Sequence, residues 1–100
     1  MTQPQPQPRT PRYRIRQYDP NTTHVDGSPV YQGHDFETTR YYDLIRHARA
    51  IERTTASLNC HVIGLTPQPI EINELYSAID YLRQEHIPLT KAAVMDYLTR

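Results

Sequence analysis

One hundred residues allow one small domain. Eleven basic and eleven acidic residues balance to zero, which excludes a whole-protein basic field of the kind that gathers nucleic acid. A single cysteine, Cys60, excludes an internal disulfide. No apolar run resembles a signal peptide or approaches the roughly 20 residues of a membrane span, so a soluble, cytoplasmic protein with no membrane partner is expected.

The charge is unevenly spread. Met1 to Arg53 carries eight Arg and six acids; Thr54 to Arg100 carries three basic residues and five acids. All basic residues but Lys91 are Arg, the side chain of planar, stacked and bidentate contacts. Residues 1–12 form a Gln/Pro-rich basic tail, expected to be disordered or extended because alternating prolines permit neither a helix nor a ladder. Residues 13–100 then form the domain. Its core is small enough that homo-oligomerisation or docking on a partner would add to its stability.

Tyr13 to Tyr18 alternates apolar and basic residues, the pattern of a short strand with one wet face. Asp19-Pro20-Asn21 and Asp26-Gly27 are turn signals, and Val30 to Phe36 reads as a returning strand interrupted at Gly33. Thr39 to Leu58 reads as a long amphipathic helix, with Asp35, Thr38 or Thr39 as caps and Asn59 as its left-handed stop. Leu44, Ala48, Ile51, Thr55 and Leu58 make its apolar stripe. Arg46, Arg49 and Arg53, with Tyr42 one turn earlier, lie almost opposite.

Cys60 to Leu65 is too short for periodicity to separate a buried strand from an apolar turn. Thr66 to Pro69 breaks the chain. A second helix is expected from about Ile70 to His86, with Glu71 and Glu74 in its first turn, ending because Pro88 forces Ile87 out of helical geometry. Thr90 is placed as the N-cap of a last helix, flanked by Leu89 and Val94 as a hydrophobic staple. The fold class expected is therefore mainly α: three helices with a small N-terminal β-hairpin or extended segment, α+β being the alternative.

Leu75 to Leu98 resembles the spacing of small helix-turn-helix and winged-helix DNA-binding domains. That likeness implies a DNA reader, but the outward face of the last helix offers only Lys91 and Asp96 as charges, where base-reading residues would be wanted. The histidines and Cys60 match no common zinc spacing, and no nucleophile–base pair or paired carboxylates emerge, so no metal, no cofactor and no enzymatic activity are expected.

The leading expectation is a non-enzymatic adaptor or regulator that binds a partner protein through Tyr42, Arg46, Arg49, Arg53 and Tyr81, the last being the best candidate for an exposed aromatic, with a core-edge tyrosine as the other reading. Tyr and Arg are the side chains that most often anchor interfaces. The same helix face also reads as merely solvated, with pairs such as Asp43 to His47 and Arg49 to Glu52. The alternative function is a nucleic-acid-binding regulator, with Arg9, Arg12, Arg14 and Arg16 as phosphate contacts beside the arginine stripe and the helix pair.

Overall fold

The computed structural model describes residues 12–54 and 59–100; the tail through residue 11, including Arg9, lies outside them. The chain runs β1 (Tyr13–Thr23), β2 (Pro29–Thr38), α1 (Tyr41–Ile51), β3 (Cys60–Ile63), β4 (Ile70–Glu71), α2 (Ile72–Gln84) and α3 (Lys91–Leu98). The strands form one four-stranded antiparallel sheet in the order β2-β1-β3-β4.

This corrects the expectation of a mainly helical domain: the fold is α+β. The reason is the period-2 pattern of the segment starting at Cys60. Cys60 and Val62 point into the core and His61 and Ile63 point away. That matches β1, where Tyr13 and Ile15 are buried and Arg14 and Arg16 lie on the other face. The register pairs Ile15 with Val62 and Arg16 with His61, so the two alternating strands bury one common face.

The hairpin is longer than its turn signals suggest. Asp19-Pro20-Asn21 does not end β1; the strand continues to Thr23 through a register shift. Asp19 instead accepts the Asn21 N–H and the Thr22 hydroxyl, and these bonds hold its carboxyl below the usual range. The chain turns at His24–Gly27, closed by the Gly27 N–H donating to the His24 carbonyl, with Gly27 at φ 86°. Gly33, at φ 82°, sits where β2 shifts register against β1.

All three helices contribute to one core. Leu44, Ile45 and Ala48 of α1, Ile72, Leu75 and Ile79 of α2 and Val94 of α3 are buried with Tyr13, Ile15, Cys60 and Val62 of the sheet. The Tyr76 hydroxyl donates to the Ala48 carbonyl at 3.1 Å, tying α2 to α1 inside that core. α1 is shorter than its pattern: it ends at Ile51, Arg53 lies in the following turn, and Thr55 and Leu58 fall outside the described residues.

Arg40 is the N-cap of α1 and makes no side-chain cap bond, while Thr38 accepts the Arg40 N–H; the side chain of Asp35 is outside those described. Asn59 does not stop α1, which already ends at Ile51; its carbonyl accepts the Tyr18 N–H at 2.9 Å and so extends the pairing of β3 with β1.

α2 starts two residues later than its pattern, because Ile70 and Glu71 pair with Val62 and His61 as β4. Glu71 and Glu74 form a reciprocal capping box. The helix closes with the Ile87 N–H on the Leu82 carbonyl, the His86 N–H on the Arg83 carbonyl, and His86 at φ 57°, the geometry of a Schellman stop. Thr90 caps α3 by accepting the Ala93 N–H.

Candidate functional site: an arginine groove on one side, a Tyr–His–Glu network on the other

The helix–sheet packing leaves two faces carrying chemistry. On α1, burying Leu44, Ile45 and Ala48 turns Tyr42, Arg46 and Arg49 outward, because residues at these offsets lie on opposite sides of a 3.6-residue turn. Together with Arg53 they line an open groove of about 530 Å³ whose apolar walls are Ile45, Ala50 and Leu89. Tyr42 is 62 % exposed, the most exposed aromatic ring of the described chain. Among the described residues Arg46, Arg49 and Arg53 take part in no ion pair, and the intrahelical pairs from Asp43 to His47 and from Arg49 to Glu52 do not form. Tyr41, beside Tyr42, reaches the Leu89 carbonyl with its hydroxyl, and burial pushes its phenol up to about 12. That bond joins α1 to the wall of the groove supplied by the α2–α3 connection.

The other expected site residues are placed elsewhere. Tyr81 is half-buried rather than exposed: its ring lies 5.2 Å from that of Tyr97 with Arg100 above it, and it does not line the groove. Arg12 and Arg14 share the Glu37 carboxylate at 2.8 and 3.6 Å. Arg16 lies over the Tyr31 ring at 4.3 Å. The basic residues at the start of β1 are thus engaged on the hairpin and are not gathered with the helix stripe.

A second, narrower pocket adjoins the first through Arg46 and Ala50 and contains Glu37, Asp43 and His47. His47 stacks flat on Phe36, with ring centres 3.7 Å apart, and burial lowers its pKa below 6.5. Between its folded pKa and 6.5 the unfolded chain binds more protons at this site than the folded chain. Stability from this source is therefore present above 6.5 and lost as the pH falls through that window. The urea midpoint is expected to drop between pH 7.5 and 5.5 in the wild type, and to drop less in His47→Gln. An equal drop in both would show that the stacked imidazole titrates as it does in water.

The outward face of the sheet holds a network that no local spacing announces. His61 of β3 is flanked by Tyr18 of β1, Tyr31 of β2 and Glu71 of β4. The Tyr18 ring stacks on His61 at 4.2 Å and 17°. His61 Nε2 lies 3.1 Å from Glu71 Oε1, and His61 Nδ1 lies 3.1 Å from the Tyr31 hydroxyl. Glu71 Oε2 accepts the Tyr18 hydroxyl at 2.8 Å, and this bond is the main reason the Tyr18 phenol is pushed up to about 12.

The sequence offered one signal for this network: the alternation of Tyr13 to Tyr18 puts Arg16 and Tyr18 on one side. Residues 31, 61 and 71 join them only through strand register. Cys60, beside His61, points the other way into the core, where burial pushes its thiol up. Among the described residues no three His, Cys, Asp or Glu side chains gather as metal ligands, and no helix is long and apolar enough to cross a membrane. No protein-family model matches this chain, nor does any curated protein or solved structure, so a reading of its function rests on its own residues.

Proposed function

We propose that this is a small adaptor or regulatory protein whose α1 groove takes an acidic, amphipathic segment of a partner protein. The observation that carries this reading is the juxtaposition of Arg46, Arg49 and Arg53, free of ion pairs among the described residues, with an apolar trough and the exposed Tyr42 ring. Apolar side chains of the partner fit against Ile45, Ala50 and Leu89, while its carboxylates meet the guanidinium groups at the rim. Charge complementarity favours a partner bearing carboxylates and sets orientation and on-rate. Cys60, the one cysteine of the sequence and buried, suits action in the reducing cytoplasm.

The test uses a synthetic helical peptide with leucines on one face and glutamates beside them, followed by fluorescence anisotropy. Binding is expected to weaken about tenfold or more on combined Arg46→Glu, Arg49→Glu and Arg53→Glu, since each exposed pair contributes up to roughly 1 kcal/mol and reversal also adds repulsion. Equal binding by the triple variant, with an unchanged circular dichroism spectrum, would remove the groove from consideration. A single-stranded oligonucleotide bound more tightly than the peptide, with steep loss as salt rises, would instead support the nucleic-acid reading.

A further inference from the structure

The outward sheet face is independent of the α1 groove and shares no residue with it. A carboxylate only accepts hydrogen bonds, so contact with Glu71 places the proton of a neutral His61 on Nε2. Nδ1 then carries a lone pair, and the Tyr31 hydroxyl donates to it. The Tyr18 stack fixes the plane of the imidazole, and the Arg16 guanidinium lies over the Tyr31 ring at 4.3 Å. A nucleophile within reach of a base, with the base oriented by a third group, is the arrangement that activates weak nucleophiles.

The hydroxyls of Tyr18, Tyr41 and Tyr76 differ in kind. Tyr18 donates to a carboxylate, and Tyr41 and Tyr76 donate to backbone carbonyls. A backbone carbonyl cannot carry the proton away, and a carboxylate is intrinsically a weaker base than an imidazole nitrogen. Tyr31 differs from these in that its hydroxyl meets a basic ring nitrogen, Nδ1 of His61.

The geometry points to Tyr31 as a nucleophilic tyrosine that accepts an acyl group from an activated ester or thioester, with His61 as its general base and Glu71 and Tyr18 as positioning residues. Tyr31 Oη attacks the acyl carbon and forms the new ester bond as its proton passes to His61 Nδ1. The bond from the acyl carbon to the leaving oxygen or sulfur breaks with its electron pair, and the proton passes from His61 to that leaving group or to solvent. No oxidant or metal is needed for the balance.

The experiment treats the full chain with p-nitrophenyl acetate and locates the acetyl group by tandem mass spectrometry of the peptide spanning Gln17 to Arg40, which holds both Tyr18 and Tyr31. The internal standard is Tyr42, the more exposed phenol. Tyr31 is expected to be acetylated at least about tenfold faster than Tyr42, a modest share of the roughly 10²–10⁴-fold that a positioned base supplies. His61→Gln is expected to abolish that advantage while Tyr42 labels as before, and Glu71→Gln to reduce it. Labelling of Tyr42 as fast as Tyr31 in the wild type overturns the assignment without need of any variant. So does an acetyl group that stays on His61, or a Tyr31 rate unchanged in a folded His61→Gln protein.

Discussion

Gly64→Ala is expected to leave a large fraction of the chain unfolded at 25 °C, with a stability loss of roughly 3–5 kcal/mol. Two separate costs contribute. Gly64 sits just after β3 at φ 96°, a backbone conformation that costs an L side chain about 1–3 kcal/mol. An added Cβ would also overlap the Arg12 carbonyl oxygen and approach its carbon to 3.2 Å and the Tyr13 Cα to 3.5 Å. Those atoms belong to the backbone entering the central strand and have no rotamer by which to move aside. Overpacking of this kind costs a further ~1–3 kcal/mol. A domain this small holds only about 5 kcal/mol in total. Urea titration followed by circular dichroism measures the loss. A midpoint close to that of wild type would show that the start of β1 shifts freely and that its pairing with β3 is looser than the register implies.

The second large effect is expected at Leu75. This side chain is wholly buried in α2, in the cluster that α1, α2, α3 and the sheet build together. Leu75→Ala removes three carbons from a site with no solvent to refill it, and such changes cost about 2–5 kcal/mol depending on how far the surroundings collapse. Ile87→Ala is the matched control, because Ile87 is 38 % exposed and its truncation leaves no comparable cavity. Denaturant midpoints of the two variants should differ clearly, Leu75→Ala being the lower. Equal midpoints would mean that α2 is not seated in the core as its burial indicates.

The legible parts of the fold were those whose signals are local. Alternation from Tyr13 to Tyr18 marked β1, apolar spacing from Ile72 to Leu82 marked α2, and Thr90 ahead of Ala93 marked the cap of α3. The illegible parts were decided at a distance. Four residues from Cys60 show no periodicity strong enough to separate strand from turn, and what settles the matter is β1, more than forty residues earlier, offering a matching alternation. Glu71 and Glu74 carried helix-start chemistry, yet Ile70 is a strand residue and Glu71 is both the N-cap of α2 and the last residue of β4, a double role visible only in the ladder.

The same division holds for the sites. The arginine stripe was readable because helical offsets alone place Arg46 and Arg49 with Tyr42. For Tyr81 the spacing left an exposed and a core-edge position open; Tyr97, contributed by the next helix, decides for the core edge. The Tyr31–His61–Glu71 network was out of reach: its members come from three strands, and the β2 segment holding Tyr31 has its alternation broken by the irregular pairing around Gly33.

The position of β1 also bears on how the chain acquires its structure. β1 precedes the other described strands, but it lies inside the sheet, and one of its two neighbours arrives only with Cys60–Ile63. Until then its second edge has no partner, whereas the hairpin to β2 and the turn from α2 into α3 close over short distances. Long-range strand pairing requires a large loop to close before any contact compensates it, and is the slow part of folding in mixed domains. During synthesis, the nascent chain therefore carries an unsatisfied strand edge from the end of β1 until β3 is made, the interval in which pairing with another copy competes with pairing to itself.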